Sequence, residues 1–236
     1  MKVGKWILIV SFAVIVVSIA AWVVIAFYGL PWKEKAVDAK LEKYLEEKYE
    51  QDFTLKESFY NFKAGSYGGQ FYPVSDPELE FYAEEGFAEY TYVDTYPEVL
   101  WARQLKEAVQ PIAKEIYPAA SIDTNYTTYE SLDIVKGPKI PPFHEVNVML
   151  GVHLEMEEAF LDSKEEWKQL VSLIEKVQGF SSAIDVSFNF ADKEKNIETF
   201  ITCPPKTEAE IKSVRQAKKF CSVSKYDMET DMALDE

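Results

Sequence analysis

Two histidines, two cysteines and several runs of carboxylates are the residues of this 236-residue chain whose chemistry could support catalysis or ligand binding. His144 and His153 lie in a segment, 143–156, in which apolar and polar residues alternate: Val146, Val148, Leu150, Val152, Leu154 and Met156 against Glu145, Asn147, His153 and Glu155. An odd separation along a strand points two side chains to opposite faces. The imidazoles are therefore expected not to share a metal, with His144 partly buried on the apolar face and His153 exposed. Their spacing is also not that of a helical His-Glu-x-x-His zinc site. With histidines so placed, no Ser/His/Asp or Cys/His grouping can be composed. Catalytic residues remain unassigned, and neither a cofactor site nor a metal site is expected.

Cys203 and Cys221 flank a segment in which Thr207 and Glu210 have the spacing of a helix cap. If one straight helix runs from Thr207 to Phe220, Cys221 lies roughly 20 Å from its start at ~1.5 Å per residue. A disulfide needs Cα atoms within ~7 Å. Two buried thiols are the expectation, and a break in that helix would allow the bond instead.

Carboxylates gather at Glu78, Glu80, Glu84 and Glu85 and again over residues 155–158. Alternating acids on a strand could attract Ca²⁺, but Ca²⁺ ligands usually come from a loop with a fixed turn, and a solvated strand face is the simpler expectation. A surface enzyme using paired carboxylates would place two of them, with perturbed pKa values, in one concave pocket. Thirteen Phe and Tyr fall within residues 53–96, enough to make a platform for sugars or peptide side chains or to fill the core of a thin sheet. Gly65-Ser66-Tyr67-Gly68-Gly69 lacks the Gly-Lys-Ser/Thr ending of a phosphate loop and reads, with Pro73, Asp76 and Pro77, as a turn region.

The elements that must carry these residues follow from periodicity. Val37, Leu41, Tyr44 and Leu45 make the stripe of an amphipathic helix over 32–51. Strands are expected at 53–62, 78–83 and 88–93, then a helix over 97–116 with Thr95 as cap and Pro111 as a kink. After Pro118 come the strand at 143–156, a helix over 163–178 opened by Ser163 with Glu166 and ended by Gly179, strands at 184–190 and 197–203, and the last helix. The fold class is α+β: small, mostly antiparallel sheets with helices packed on one face, in two sub-domains at 31–118 and 119–224. Residues 225–236 form an acidic tail without apolar period, expected to be disordered.

Residues 6–30 contain no charge and no proline, and at ~1.5 Å per residue they make a helix of roughly 37 Å. That length spans a ~30 Å hydrocarbon core with tilt to spare. The run is too long for a signal-peptide core of ~7–15 residues, and no small-x-small cleavage site follows it. An uncleaved single-pass anchor, preceded by a short tail at 1–5, is the expectation, with the lipid bilayer as partner through residues 6–30. Lysines are more numerous after the span than before it, but those after it alternate with acids in a helix of the domain. The short N-terminal tail suits a signal-anchor with its N-terminus in the cytoplasm and the folded domain extracellular. Beyond Lys2 and Lys5 the chain carries 23 basic against 40 acidic residues. A net charge near −17 opposes nucleic acid phosphates and an anionic leaflet.

Leu30-Pro31-Trp32 directly after the anchor, Leu41-Glu42-Lys43-Tyr44-Leu45 in the first domain helix, and Asp76-Pro77-Glu78-Leu79-Glu80-Phe81 after the aromatic strand resemble the uncharacterised membrane-anchored YfjL-like proteins of Gram-positive bacteria. The strand at 184–190 is similar to the C-terminal part of the same group. The resemblance covers most of the chain, carries no functional residue, and implies a bacterial, envelope-facing protein. Together these features suggest a membrane-tethered extracytoplasmic binding or interaction module with an envelope protein or peptide as partner. A cell-surface enzyme using paired carboxylates is the alternative.

Overall fold

The apolar N-terminal run folds as one helix, α1 (Lys2–Tyr28), in a computed structural model that describes residues 2–181, 183–230 and 232–234. Helix begins at Lys2, so residues 2–5 are not a separate tail; Met1 lies outside the described residues. From Val10 to Ile25 the side chains are exposed on every side, including Phe12, Val17, Ile19 and Trp22. The helix is long and apolar enough to cross a membrane. It stops at Tyr28, two residues short of the expected end, because Gly29 adopts φ +70°. A Cβ at Gly29 would approach the Tyr67 hydroxyl to 2.7 Å and the Tyr60 ring to 2.9 Å, so glycine is required there by both conformation and space. Pro31 then opens α2 (Pro31–Tyr49), at the helix position that needs no N–H.

The chain divides into two compact units, Met1–Tyr96 with Lys136–Pro138, and Pro97–Val135 with Lys139–Glu236. In the first, β1 (Phe53–Asn61), β2 (Ser66–Pro73), β3 (Phe81–Glu85) and β4 (Tyr92–Asp94) form an antiparallel meander in the order 1-2-3-4. Val37, Leu41, Leu45 and Tyr49 of α2 are buried and cover this sheet. The supposed turn at 65–69 is mostly strand: only residues 62–65 turn, and Gly68 lies inside β2. A Cβ at Gly68 would collide with the Phe59 ring and meet Glu84 Cβ at 2.7 Å, so this glycine gives neighbouring strands room to place large side chains across it. Asp94, fully buried, accepts hydrogen bonds from Tyr49 Oη (2.7 Å), Tyr44 Oη (2.8 Å), Lys48 Nζ (2.8 Å) and the Tyr96 amide (3.2 Å).

The second unit contains α3 (Tyr96–Ile116) from Pro97 onward, β5 (Ser121–Tyr126), β6 (Leu150–Met156), α4 (Lys164–Gln178), β7 (Ile184–Asp192), β8 (Ile197–Cys203), α5 (Val214–Phe220) and β9 (Ser222–Asp227). The helix grouped with the first half by sequence thus belongs almost entirely with the second. Its buried stripe is Trp101, Leu105, Val109 and Ala113. Thr95 does not cap it in the expected way; its hydroxyl accepts the Tyr82 amide at 3.1 Å and holds β3. The sheet runs 5-6-7-8-9, with β6 and β7 parallel and the other pairs antiparallel. Val152, Leu154, Val186, Phe188, Phe190 and Ile201 form its fully buried face, and α4 contributes Leu170, Leu173, Ile174 and Val177. The architecture is therefore α+β with one antiparallel and one mixed sheet.

One strand unread in the sequence, β9, changes the C-terminal chemistry. Thr207 and Glu210 do not cap a helix: after Pro204-Pro205 the chain makes a single turn, with the Glu208 and Ala209 amides on Pro205 O. The last helix starts at Val214, capped by Ser213, whose hydroxyl accepts the Gln216 amide, and is only seven residues long. Thr202 pairs with Ser222 across β8 and β9, so the adjacent Cys203 and Cys221 come to a Cα separation of 4.2 Å and form a disulfide. Two free thiols were expected; the broken helix overturns this. The expected tail at 225–236 is also partly ordered, since Lys225, Tyr226 and Asp227 belong to β9 and Tyr226 bridges to Ala233. Residues 231, 235 and 236 of it lie outside the described residues. The cysteines are 18 positions apart, and closing a loop of that size stabilises a fold by about 3 kcal/mol in the chain-entropy model. Replacing both with Ser is expected to remove about this much from chemical denaturation of the folded chain.

Candidate functional site

Sheet pairing, rather than sequence proximity, decides which polar groups meet. His144 is exposed in a 3₁₀ turn (Phe143–Glu145), and His153 is half-buried on β6, the reverse of the expected placement. The segment at 143–149 does not join the strand, which begins at Leu150. His153 is the Cα partner of Asp123 on β5 and of Ser187 on β7. Its Nδ1 lies 2.9 Å from Ser187 Oγ and its Nε2 3.7 Å from Glu155 Oε1. An acid–His–Ser row exists here that sequence could not compose, because it needs the register of three strands. Nucleophilic catalysis still lacks support: Ser187 sits on a central strand laddered on both sides, where no backbone N–H is free to hold an oxyanion.

The carboxylates on the first sheet are engaged in its own bonding. Glu80 accepts Lys56 Nζ (2.6 Å) and Gln70 Nε2 (2.7 Å), Glu84 accepts Ser66 Oγ (3.1 Å), and Glu85 accepts Lys33 Nζ and the Tyr67 amide, both at 3.1 Å. Glu78 is exposed in a turn. Much of the aromatic density is core: Tyr49, Phe53, Phe81 and Tyr96 pack with ring centroids 4.8–6.0 Å apart. Among the described residues, no three His, Cys, Asp or Glu side chains are grouped closely enough to hold a metal ion.

A cleft of about 530 Å³ opens in the second unit where the end of α3, the end of β6 and the start of α4 converge. Glu157, Glu158, Glu166, Gln169, Met156 and Tyr117 line it. Each is placed by an identifiable local cause. Pro118 ends α3, and Lys114 Nζ ties off the carbonyls of Pro118 (3.2 Å) and Ala120 (2.6 Å), leaving Tyr117 at the rim of the core. Ser163 caps α4 by accepting the Glu166 amide at 3.1 Å, and Glu166 Oε2 reaches back to the Leu161 amide at 2.7 Å. That is the capping pair read from sequence, and it turns Glu166 toward the cleft. Asp162, at the same helix start, accepts from Lys218 Nζ (2.7 Å) and Trp167 Nε1, bonds that hold its carboxyl below the usual range.

Tyr117 is 6% exposed, and its hydroxyl has no hydrogen-bond partner among the described residues. Burial, then the negative charges of Glu166 and Glu158, raises its pKa. Burial is also the main cause that raises Glu166, with Glu158 adding to it. The cleft wall therefore holds a buried hydroxyl without a hydrogen-bond partner and, in Glu166, a carboxyl whose ionisation is opposed by burial and by the charge of Glu158. A cation placed among them would relieve both conditions.

Residues 3–95 match the family model described as the YfjL-like, N-terminal domain, which bears out the resemblance for this part of the chain. A crystal structure of a DUF5037 family protein from Ruminococcus gnavus is similar over 85% of this chain and 95% of its own, at 10% identity and a TM-score of 0.40. No curated protein matches the chain.

The raised Glu166 pKa has a definite sign. A carboxyl that binds its proton more tightly in the folded than in the unfolded chain favours folding at low pH, and the benefit is lost as pH rises through the folded value. Glu166→Gln keeps an acceptor for the Leu161 amide and removes the ionisation. Its melting temperature is expected above that of the wild type at neutral pH, with the gap closing as the pH falls into the ordinary carboxylate range. A gap that widens on acidification contradicts this.

Proposed function

We propose that this YfjL-like chain is a membrane-tethered module of a bacterial cell envelope whose folded units lie outside the membrane and bind a cationic side chain of a protein or peptide partner in the acidic cleft. Binding rests above all on Tyr117, whose buried hydroxyl lacks a donor beside Glu158 and Glu166. An ammonium or guanidinium group supplies the missing donor and neutralises the carboxylates in one contact. The overall negative charge of the chain favours the approach of such a partner.

Two features support the tether and its orientation. An apolar helix exposed on all sides is stable where lipid rather than water surrounds it. The Cys203–Cys221 disulfide suits an oxidising compartment outside the cytoplasm. An acid–base enzyme in the same cleft is the weaker reading, because the Glu166 carboxylate is already held by the Leu161 amide as part of the helix start.

Protease added to intact protoplasts is expected to degrade the units after α1 without lysis; protection until lysis would place them in the cytoplasm. Titration of the full-length protein with a lysine-containing peptide is expected to show binding that an acidic peptide does not. Tyr117→Phe should weaken it about five-fold, the equivalent of one hydrogen bond at ~1 kcal/mol. Unchanged affinity in Tyr117→Phe and in Glu158→Gln would remove the cleft from consideration.

A further inference from the structure

We propose that the tip of the β1–β2 hairpin, Phe62 with Lys63, is a second membrane contact, seated at the headgroup–acyl boundary of the leaflet that receives the C-terminal end of α1. The inference rests on α1 lying in a bilayer. Given that, the level of the tip follows from contacts within the first unit. Phe27, in the last turn of α1, has its ring centroid 5.6 Å from that of Phe62. The Leu30 amide donates to Tyr67 Oη at 2.6 Å, and Lys33 Nζ lies 4.5 Å above the Tyr67 ring. Lys33 also pairs with Glu85 at 3.1 Å. These bonds hold the hairpin beside the last turn of the span, not above it.

The chemistry of the tip suits that position. Residues 58–75 contain no Asp or Glu in a chain with 40 of them, and Lys63 is their only basic residue. Phe62 is 52% exposed although apolar, and Tyr28 and Trp32, on either side of the Gly29 joint, are 75% and 71% exposed. Aromatic rings and a lysine at one level are the composition that favours the interface over either water or hydrocarbon. The turn itself leaves few polar groups to desolvate: Asn61 Oδ1 accepts the Lys63 and Ala64 amides (3.2 and 3.3 Å), and Asn61 O accepts the Gly65 amide (2.7 Å). A backbone whose donors are satisfied internally tolerates the edge of a bilayer. A zwitterionic leaflet is the fitting occupant, because the rest of the chain repels an anionic one.

The native cysteines are joined to each other, so a fluorescent maleimide such as NBD labels only an introduced cysteine. Full-length protein would be labelled at Val17→Cys in the span, Phe62→Cys and Lys63→Cys at the tip, and Val74→Cys beyond the far end of β2, then reconstituted in phosphatidylcholine vesicles. Blue-shifted emission is expected at Val17 and at both tip positions, with quenching at the tip strongest for a spin label carried high on the acyl chain, and water-like emission at Val74. Water-like emission at Phe62 and Lys63 alongside a quenched Val17 overturns the proposal while leaving the anchor intact. An unquenched Val17 overturns the anchor and the proposal together.

Discussion

A carboxylate sealed from water holds the first unit in register. Asp94 would be costly in that position unless every lone pair met a donor, and two tyrosine hydroxyls, an ammonium and a backbone amide converge on it. Three of these donors come from consecutive turns of α2, at Tyr44, Lys48 and Tyr49, so the helix cannot slide along the sheet without stranding the charge. The Lys48 ammonium also sits 4.9 Å over the Tyr49 ring, which further restricts it. Apolar contacts from Leu41 and Leu45 supply the burial, but they would tolerate other placements; the polar set does not. With its last turns held at Asp94, the helix has its first turn tied to β3 as well, through Lys33 and Glu85.

The second unit is governed by a different constraint, the need to cover one face of a mixed sheet. Its buried face is aliphatic and aromatic, and α3 and α4 supply the opposing stripes. Its other face carries Asp123, His153, Ser187 and Thr202 in a cross-strand row. The acidic cleft forms at neither face. It lies where two helix ends meet a strand end, where capping side chains and a core tyrosine converge. Groups recruited to terminate helices thus double as the lining of a concavity that contains a buried hydroxyl, unpartnered among the described residues.

Elements with a strong internal period were readable: the apolar span, α2, α4 with its Ser163–Glu166 cap, and β7 all fall close to where residue spacing puts them. The misses share a cause. Residues 66–73 contain two glycines and read as a turn, because their strand character comes from neighbours packing across the glycines and not from their own side chains. Residues 222–227 have no apolar alternation, since β9 is an edge strand with little to bury, and without β9 the two cysteines look too far apart. The cleft was only half legible. Glu157 and Glu158 drew attention as carboxylates, whereas Tyr117 carried no signal, because a tyrosine at a helix end looks like ordinary core until its hydroxyl is found without a donor.

The joint at Gly29 has a mechanical consequence. A helix of 27 residues is about 40 Å long at ~1.5 Å per residue, longer than a ~30 Å hydrocarbon core, and such a helix tilts to match the local thickness. Here Phe27, the Leu30 amide and Lys33 are all fastened to the hairpin and to Glu85, so the first sheet leans with the span. Where α1 spans a bilayer, the thickness of that bilayer is thereby written into the angle at which the first unit stands on the surface, and a thinner or thicker membrane would re-aim it without any change in its internal contacts.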